Sequence, residues 1–118
     1  MSKPDVPQRS GQETIGHHGS MLTTLRIVGP SMEPTLTNGD LVLVARSRTY
    51  RSGQILVVEH PHRPDLLLVK RCVRVMDGGQ VWIEGDNPQA SDDSRDFGAV
   101  PRQQVRGRVL LRLAARSR

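Results

Sequence analysis

At 118 residues the chain is long enough for one domain and too short for two. With 36% hydrophobic and only 3% aromatic residues, its core must rest on Val, Leu and Ile, which favour strands when they occur in short runs. The net charge of +5 suits an acidic partner, but arginines scattered from Arg26 to Arg118 form no single block, and Tyr50, Trp82 and Phe97 are too few for a base-stacking platform, which argues against nucleic acid.

In chain order, residues 1–21 are rich in Ser, Gly, Pro, Gln and His and read as a flexible polar tail, which leaves 22–118 as the domain. A first strand is predicted over Thr23–Val28, and Gly29-Pro30 then turns the chain into Ser31. Asn38-Gly39-Asp40 leads into a second strand, Leu41–Ala45, and Ser52-Gly53 into a third, Gln54–Glu59. The proline-rich run His60–Asp65 reads as a connection to a long strand, Leu66–Val75. Asp77-Gly78-Gly79 is a hairpin turn into Gln80–Glu84. The polar stretch Gly85–Gly98 is too long for a simple turn, and long loops in small domains tend to be functional. A last strand over Val105–Leu113 completes a mostly β fold, one compact domain with few or no helices.

No stretch approaches the roughly 20 apolar residues of a membrane-spanning helix, and the first twenty residues lack the apolar centre of a secretory signal. A cytoplasmic protein without an integral membrane anchor is therefore expected. The lone Cys72 allows no internal disulfide and reads as a small buried filler. His60 and His62 stand in a loop without a Cys or carboxylate partner and make a poor metal site, so neither a metal nor a cofactor is expected. Both read as exposed loop residues.

The chemistry points to Lys70. Fifteen arginines stand against two lysines, and Lys70 closes the apolar run Leu66-Leu67-Leu68-Val69. Arginine keeps its proton at any workable pH, whereas a desolvated lysine can release it. Strand alternation places Leu66, Leu68, Lys70, Cys72 and Arg74 on one face, where the leucines can desolvate the ammonium. Bringing a pKa of about 10.4 down to about 7–8 costs on the order of 4 kcal/mol. Ser31 lies between a Gly-Pro turn and Pro34, so its hydroxyl is expected to point out of a bend, and a serine hydroxyl needs a neighbouring base to become a nucleophile. Met32 beside it reads as lining the substrate cleft.

Three blocks carry a family resemblance. Gly29-Pro30-Ser31-Met32-Glu33-Pro34-Thr35-Leu36 with Gly39-Asp40 resembles the nucleophile box of the signal peptidase I family. Val69-Lys70-Arg71 resembles its lysine box, and Gly85-Asp86-Asn87 with Ser91-Asp92-Asp93-Ser94-Arg95 and Phe97-Gly98 resembles its third block. The resemblance runs from about Arg26 to Arg108 and implies a β fold of the kind shared by signal peptidases and SOS repressors.

By that resemblance the chain is a serine endopeptidase with a Ser-Lys dyad. Ser31 would attack the scissile carbonyl and Lys70 would act as general base. Ser91 matches the serine that orients the lysine, and Asp93 and Arg95 match a supporting ion pair to which Asp86 and Arg71 add. The Ser31 N–H would help form the oxyanion hole. In some members a serine two positions before the nucleophile supplies a second donor, where this chain has Gly29. Its short form is most similar to nickel-type superoxide dismutase maturation proteases, which implies a protein precursor as partner and propeptide removal as function. The alternatives are a signal peptidase acting on exported preproteins, a self-cleaving SOS-repressor-like regulator, and a basic nucleic-acid-binding module.

Overall fold

The computed structural model describes residues 21–47 and 49–115, so the expected tail, with His17 and His18, lies almost wholly outside the described residues. Six strands form one antiparallel sheet. They are β1 (Leu22–Arg26), β2 (Leu41–Ala45), β3 (Ile55–His60), β4 (Arg63–Val75), β5 (Val81–Glu84) and β6 (Val105–Ala114), in the order β1-β2-β6-β3-β4-β5. One short helix, α1 (Ser94–Phe97), accompanies them. The mostly β class expected from the sequence is what the chain forms.

The strands are built around Val, Leu and Ile, and period-two alternation splits the core between the two faces. β3 shows this most clearly. Val57 packs with Leu25, Ile27, Met32, Leu36, Val42 and Val44, whereas its neighbours Leu56 and Val58 pack with Cys72, Val81, Ile83, Val100 and Val105. β3 is buried on both faces because a core cluster packs on each, while β6, last in sequence, inserts between β2 and β3 and, with β4, pairs both of its edges.

The elements differ from expectation in four places. The connection before β4 is only Pro61-His62, because His60 already pairs with Arg63 and β4 begins there rather than at Leu66. Arg74 does not share the face of Lys70. Cys72 pairs with Ile83 and Arg74 with Trp82, so one extra residue, Val73, bulges out and turns Arg74 to the opposite side, where its guanidinium lies 5.2 Å from the Trp82 ring. Ile27 and Val28 lie beyond the end of β1. The polar stretch Gly85–Gly98 folds into a 3-10 turn at Pro88–Ala90 and the helix α1.

α1 is set by its cap. Asp93 accepts the Arg95 N–H at 3.1 Å, while its own N–H donates to Asp96 Oδ2 at 3.2 Å. This reciprocal pair satisfies two backbone donors at a helix start. The Asp93-x-x-Asp96 spacing was the available signal for it.

Candidate active site

Ser31 stands in the turn after β1, closed by hydrogen bonds from Glu33 N–H to Pro30 O (3.1 Å) and from Leu36 N–H to Met32 O (2.9 Å). Beneath it the Met32 side chain drops into the core, with 1% of the residue exposed. Met32 therefore anchors the turn from below, and its Sδ accepts the Asp86 N–H at 3.4 Å. Met32 also borders the cavity that Ser31 and Lys70 line, although little of it is exposed.

Lys70 sits opposite Leu56 on β4 and is only 3% exposed. Burial lowers its pKa from 10.5, and Arg95 adds to this, while the carboxylates of Asp93, Asp92 and Asp96 oppose it. Nζ donates to Ser91 Oγ at 3.1 Å, and the Ser91 hydroxyl in turn donates to Asp93 Oδ2. With its proton committed to Asp93, the Ser91 oxygen acts as acceptor toward Lys70. A neutral amine held this way keeps its lone pair for another partner. Ser31, Leu66, Leu68 and Lys70 all line one cavity of about 310 Å³, which Asp92 and Ala90 also border.

Asp93 is the hub of the wall behind Lys70. It is fully buried and accepts from Arg95 Nε (3.0 Å), Arg95 Nη2 (2.7 Å), the Gly85 N–H (2.9 Å), the Arg95 N–H and Ser91. Arg71 and Asp86 form a separate pair rather than an extension of this one. Arg71 donates from Nε (3.2 Å) and Nη2 (2.6 Å) to Asp86 and from Nη1 to Gly53 O (2.9 Å). Its guanidinium holds the Asp86 carboxyl below the usual carboxylate range. Thr35 Oγ1 also donates to Asp86, which ties the turn that carries Ser31 to the loop after β5.

That loop passes very close to Ser31. A methyl group on Gly85 would lie 2.6 Å from Ser31 O and 2.3 Å from Ser91 Oγ, contacts that no settled structure keeps. Gly85→Ala should force the two segments apart, with an expected destabilisation of about 1–3 kcal/mol and a loss of turnover of roughly a hundredfold. Thermal unfolding and steady-state kinetics on the same preparation check both.

Two site features escaped the sequence reading. His60 is buried rather than exposed: its Nδ1 accepts the His62 N–H at 3.1 Å, which leaves Nε2 as the donor to Asp92 Oδ2, also at 3.1 Å. Both ring nitrogens are thus engaged within the fold. Asn87, whose contacts are described below, was quoted only as part of a motif. Neither is signalled by local pattern, since Asp92 lies 32 positions from His60 and Pro30 lies 57 positions from Asn87.

Residues 6–109 match the family described as Peptidase S24-like. The chain belongs to that family. This S24-like peptidase chain carries a domain of the serine peptidase class. It is 36% identical over 108 residues to mitochondrial inner membrane protease subunit 1 of Xenopus tropicalis, covering 72% of this chain and 65% of that protein. It is also 32% identical over 119 residues to mitochondrial ATP-independent inner membrane protease subunit 1a of Arabidopsis thaliana, covering 79% and 71%. A probable signal peptidase I-1 of Synechocystis matches at 39% over 80 residues, 68% of this chain and 40% of that protein. The S24-like chain thus spans about 65% of the length of the frog subunit. Among its described residues no helix is long and apolar enough to cross a membrane.

Proposed function

We propose that the domain is an endopeptidase that removes an N-terminal extension from a protein precursor, with Ser31 as nucleophile and Lys70 as general base. The observation that carries this reading is the buried Lys70, its Nζ engaged with Ser91 Oγ, in the cavity that Ser31 lines. Neutral Lys70 takes the Ser31 proton as Oγ attacks the scissile carbonyl, then gives it to the leaving amine as the C–N bond breaks. Water attacks the acyl-enzyme in the same way, with Lys70 again as base. Ser91 and the Asp93–Arg95 pair position the amine, and the Asp86–Arg71 pair supports the loop beside it.

β4 supports a mode of substrate binding as well. Along β4, β5 pairs with Arg71–Val75 alone, so the edge of Leu66–Lys70 away from β3 is open to an extended peptide, with Leu66 and Leu68 facing the cavity.

Within this class we take a nickel superoxide dismutase precursor as the first substrate, from the sequence resemblance, with enzyme and substrate meeting in the cytoplasm. The chemistry fits, because cleavage frees an amine that a peptide bond had blocked from metal ligation. The relatives named as inner membrane protease subunits and signal peptidase favour a second reading, a precursor presented at a membrane.

Intact-mass analysis of the dismutase precursor, incubated with the parent protein, Ser31→Ala or Lys70→Ala, tests the proposal. Loss of one defined N-terminal fragment with the parent alone is the expected result. Cleavage of exported preproteins but not of the dismutase precursor would transfer the role to the second reading. Cleavage that survives both substitutions would overturn the dyad.

A further inference from the structure

The strongest unassigned feature at the site is the grip of Asn87 on the nucleophile turn. Its side-chain Nδ2 donates to Pro30 O at 3.1 Å, and its backbone N–H donates to Ser31 O at 2.8 Å. One residue therefore holds the carbonyls of both peptide groups that flank the Ser31 Cα.

The first contact matters for chemistry. Pro30 C=O and Ser31 N–H belong to the same peptide group, and in a trans peptide the two point in opposite directions. The described cis bond in this turn is Glu33–Pro34, so the Pro30–Ser31 group is trans. Fixing Pro30 O on one side fixes the direction of the Ser31 N–H on the other. Glu33 N–H adds a second bond to the same oxygen, so the plane is held from two directions. Among the described residues the Ser31 N–H donates to no protein acceptor, which leaves it for a ligand.

The neighbourhood concentrates this demand on one donor. Gly29 has no side chain to offer, and its φ of +88° is a conformation that strains any residue with a Cβ. Its own N–H is committed to Asn38 Oδ1 at 2.8 Å. A hydrogen-bond donor helps a tetrahedral oxyanion only if it is already aimed at the place where the charge develops.

We infer that Asn87 is a positioning residue that aims the Ser31 N–H at the developing oxyanion. This rests on the reading of Ser31 as nucleophile. Asn87 itself touches no reacting atom. It acts through the Pro30–Ser31 peptide group, and its backbone bond to Ser31 O survives any change of side chain.

Acylation of Ser31 by 4-nitrophenyl acetate isolates the step. Ser31 Oγ bonds to the acetyl carbon, its proton passes to Lys70 Nζ, and the C–O bond to 4-nitrophenolate breaks through a tetrahedral oxyanion. Release of nitrophenolate and the mass of the acetylated protein would be followed for the parent, Ser31→Ala, Asn87→Ala and Asn87→Asp. The aspartate is isosteric with asparagine but cannot donate to Pro30 O. Both Asn87 variants should acylate roughly tenfold to a hundredfold more slowly, and in Asn87→Ala, which adds no charge, the pH midpoint of the rate should stay at the parent value.

The thionoester analogue separates aiming from general damage. Sulfur accepts hydrogen bonds poorly, so the parent gains little from the Ser31 N–H with that substrate, and the Asn87 variants should match the parent within about a factor of three. An equal deficit with both esters would show a merely structural role and overturn the inference. Parent-like acylation of Asn87→Asp with the oxygen ester would overturn it as well, and would leave Ser31 standing as nucleophile. Absence of Ser31-dependent acylation in the parent would overturn the nucleophile reading and this inference with it.

Discussion

Lys70→Met is expected to abolish cleavage while leaving the domain at least as stable at pH 7 as the parent. Methionine fills the same volume without a titratable group, and loss of the general base alone costs on the order of 10²–10⁴ in rate. The stability half follows from the sign of the pKa shift. Burial puts the folded-state pKa of Lys70 below its unfolded value of 10.5. Between those two values the unfolded chain binds more protons than the folded one, so this group makes stability rise with pH across that window. Below the folded-state pKa the penalty is present in full, and above pH 10.5 it is gone. The melting temperature of Lys70→Met should therefore exceed or equal that of the parent near neutrality, and the difference should shrink as the pH approaches 10.5. Ser91 keeps its bond to Asp93 in the variant, so no buried hydroxyl is orphaned. A variant that melts well below the parent at pH 7 would mean that Lys70 is held as a stabilising cation, which is incompatible with a base. For the parent, kcat/KM should rise with pH along an acid limb whose midpoint lies below 10.5.

Asp93→Ala should have the largest effect on stability of any single change at the site. Burial by itself would push this carboxyl's pKa up, yet the hydrogen bonds from the Arg95 side chain, Ser91, the Gly85 N–H and the Arg95 N–H outweigh it and hold the pKa well below 3.8. Removal leaves those donors facing a cavity and deletes the cap of α1. Leaving the Gly85 N–H and the Ser91 hydroxyl without their acceptor and deleting the cap together cost about 2–4 kcal/mol, which for a domain of this size lowers the melting temperature by roughly 10 °C or more. The pH slope has the same sign as that of Lys70, because both folded-state pKa values lie below the unfolded ones, but here rising pH adds a stabilising contact rather than relieving a penalty. A depressed carboxyl pKa adds stability that is present above 3.8 and is lost as the pH falls toward the folded-state value. The gap between parent and Asp93→Ala should thus be wide at pH 6 and narrow on acidification below pH 3.8. Equal melting temperatures at pH 6 would show that Arg95 and water compensate. Activity should fall as well, because the Ser91 hydroxyl loses the acceptor that orients it toward Lys70.

Much of this arrangement was legible from residue order alone. Short Val/Leu/Ile runs separated by Gly, Asn and Asp turns carried the six strands, since alternation and turn chemistry are local properties. Lys70 stood out because a lysine placed in an apolar run, in a chain that otherwise uses arginine, asks for a group able to lose its proton. Ser31, Ser91, Asp93 and Arg95 came from the family resemblance, and the described contacts bring Ser91, Asp93 and Arg95 together behind Lys70.

Other features depended on the third dimension. The bulge at Val73 that turns Arg74 away is set by how β4 must meet the short β5, and simple alternation in one strand carries no sign of it. Burial of His60 follows from what packs over it, and an imidazole is not apolar enough to announce its position. The division into two ion pairs, Asp93 with Arg95 and Asp86 with Arg71, depends on which guanidinium the fold delivers to which carboxylate. Asn87 reaches Pro30 across 57 positions of sequence. From the sequence by itself came the strands, the single domain and a lysine suited to act as a base, because composition, alternation and turn residues operate over a few neighbours. Only the tertiary structure decided how the turn that carries Ser31 is held and which donor is left free there, because those depend on contacts between segments that local sequence does not encode.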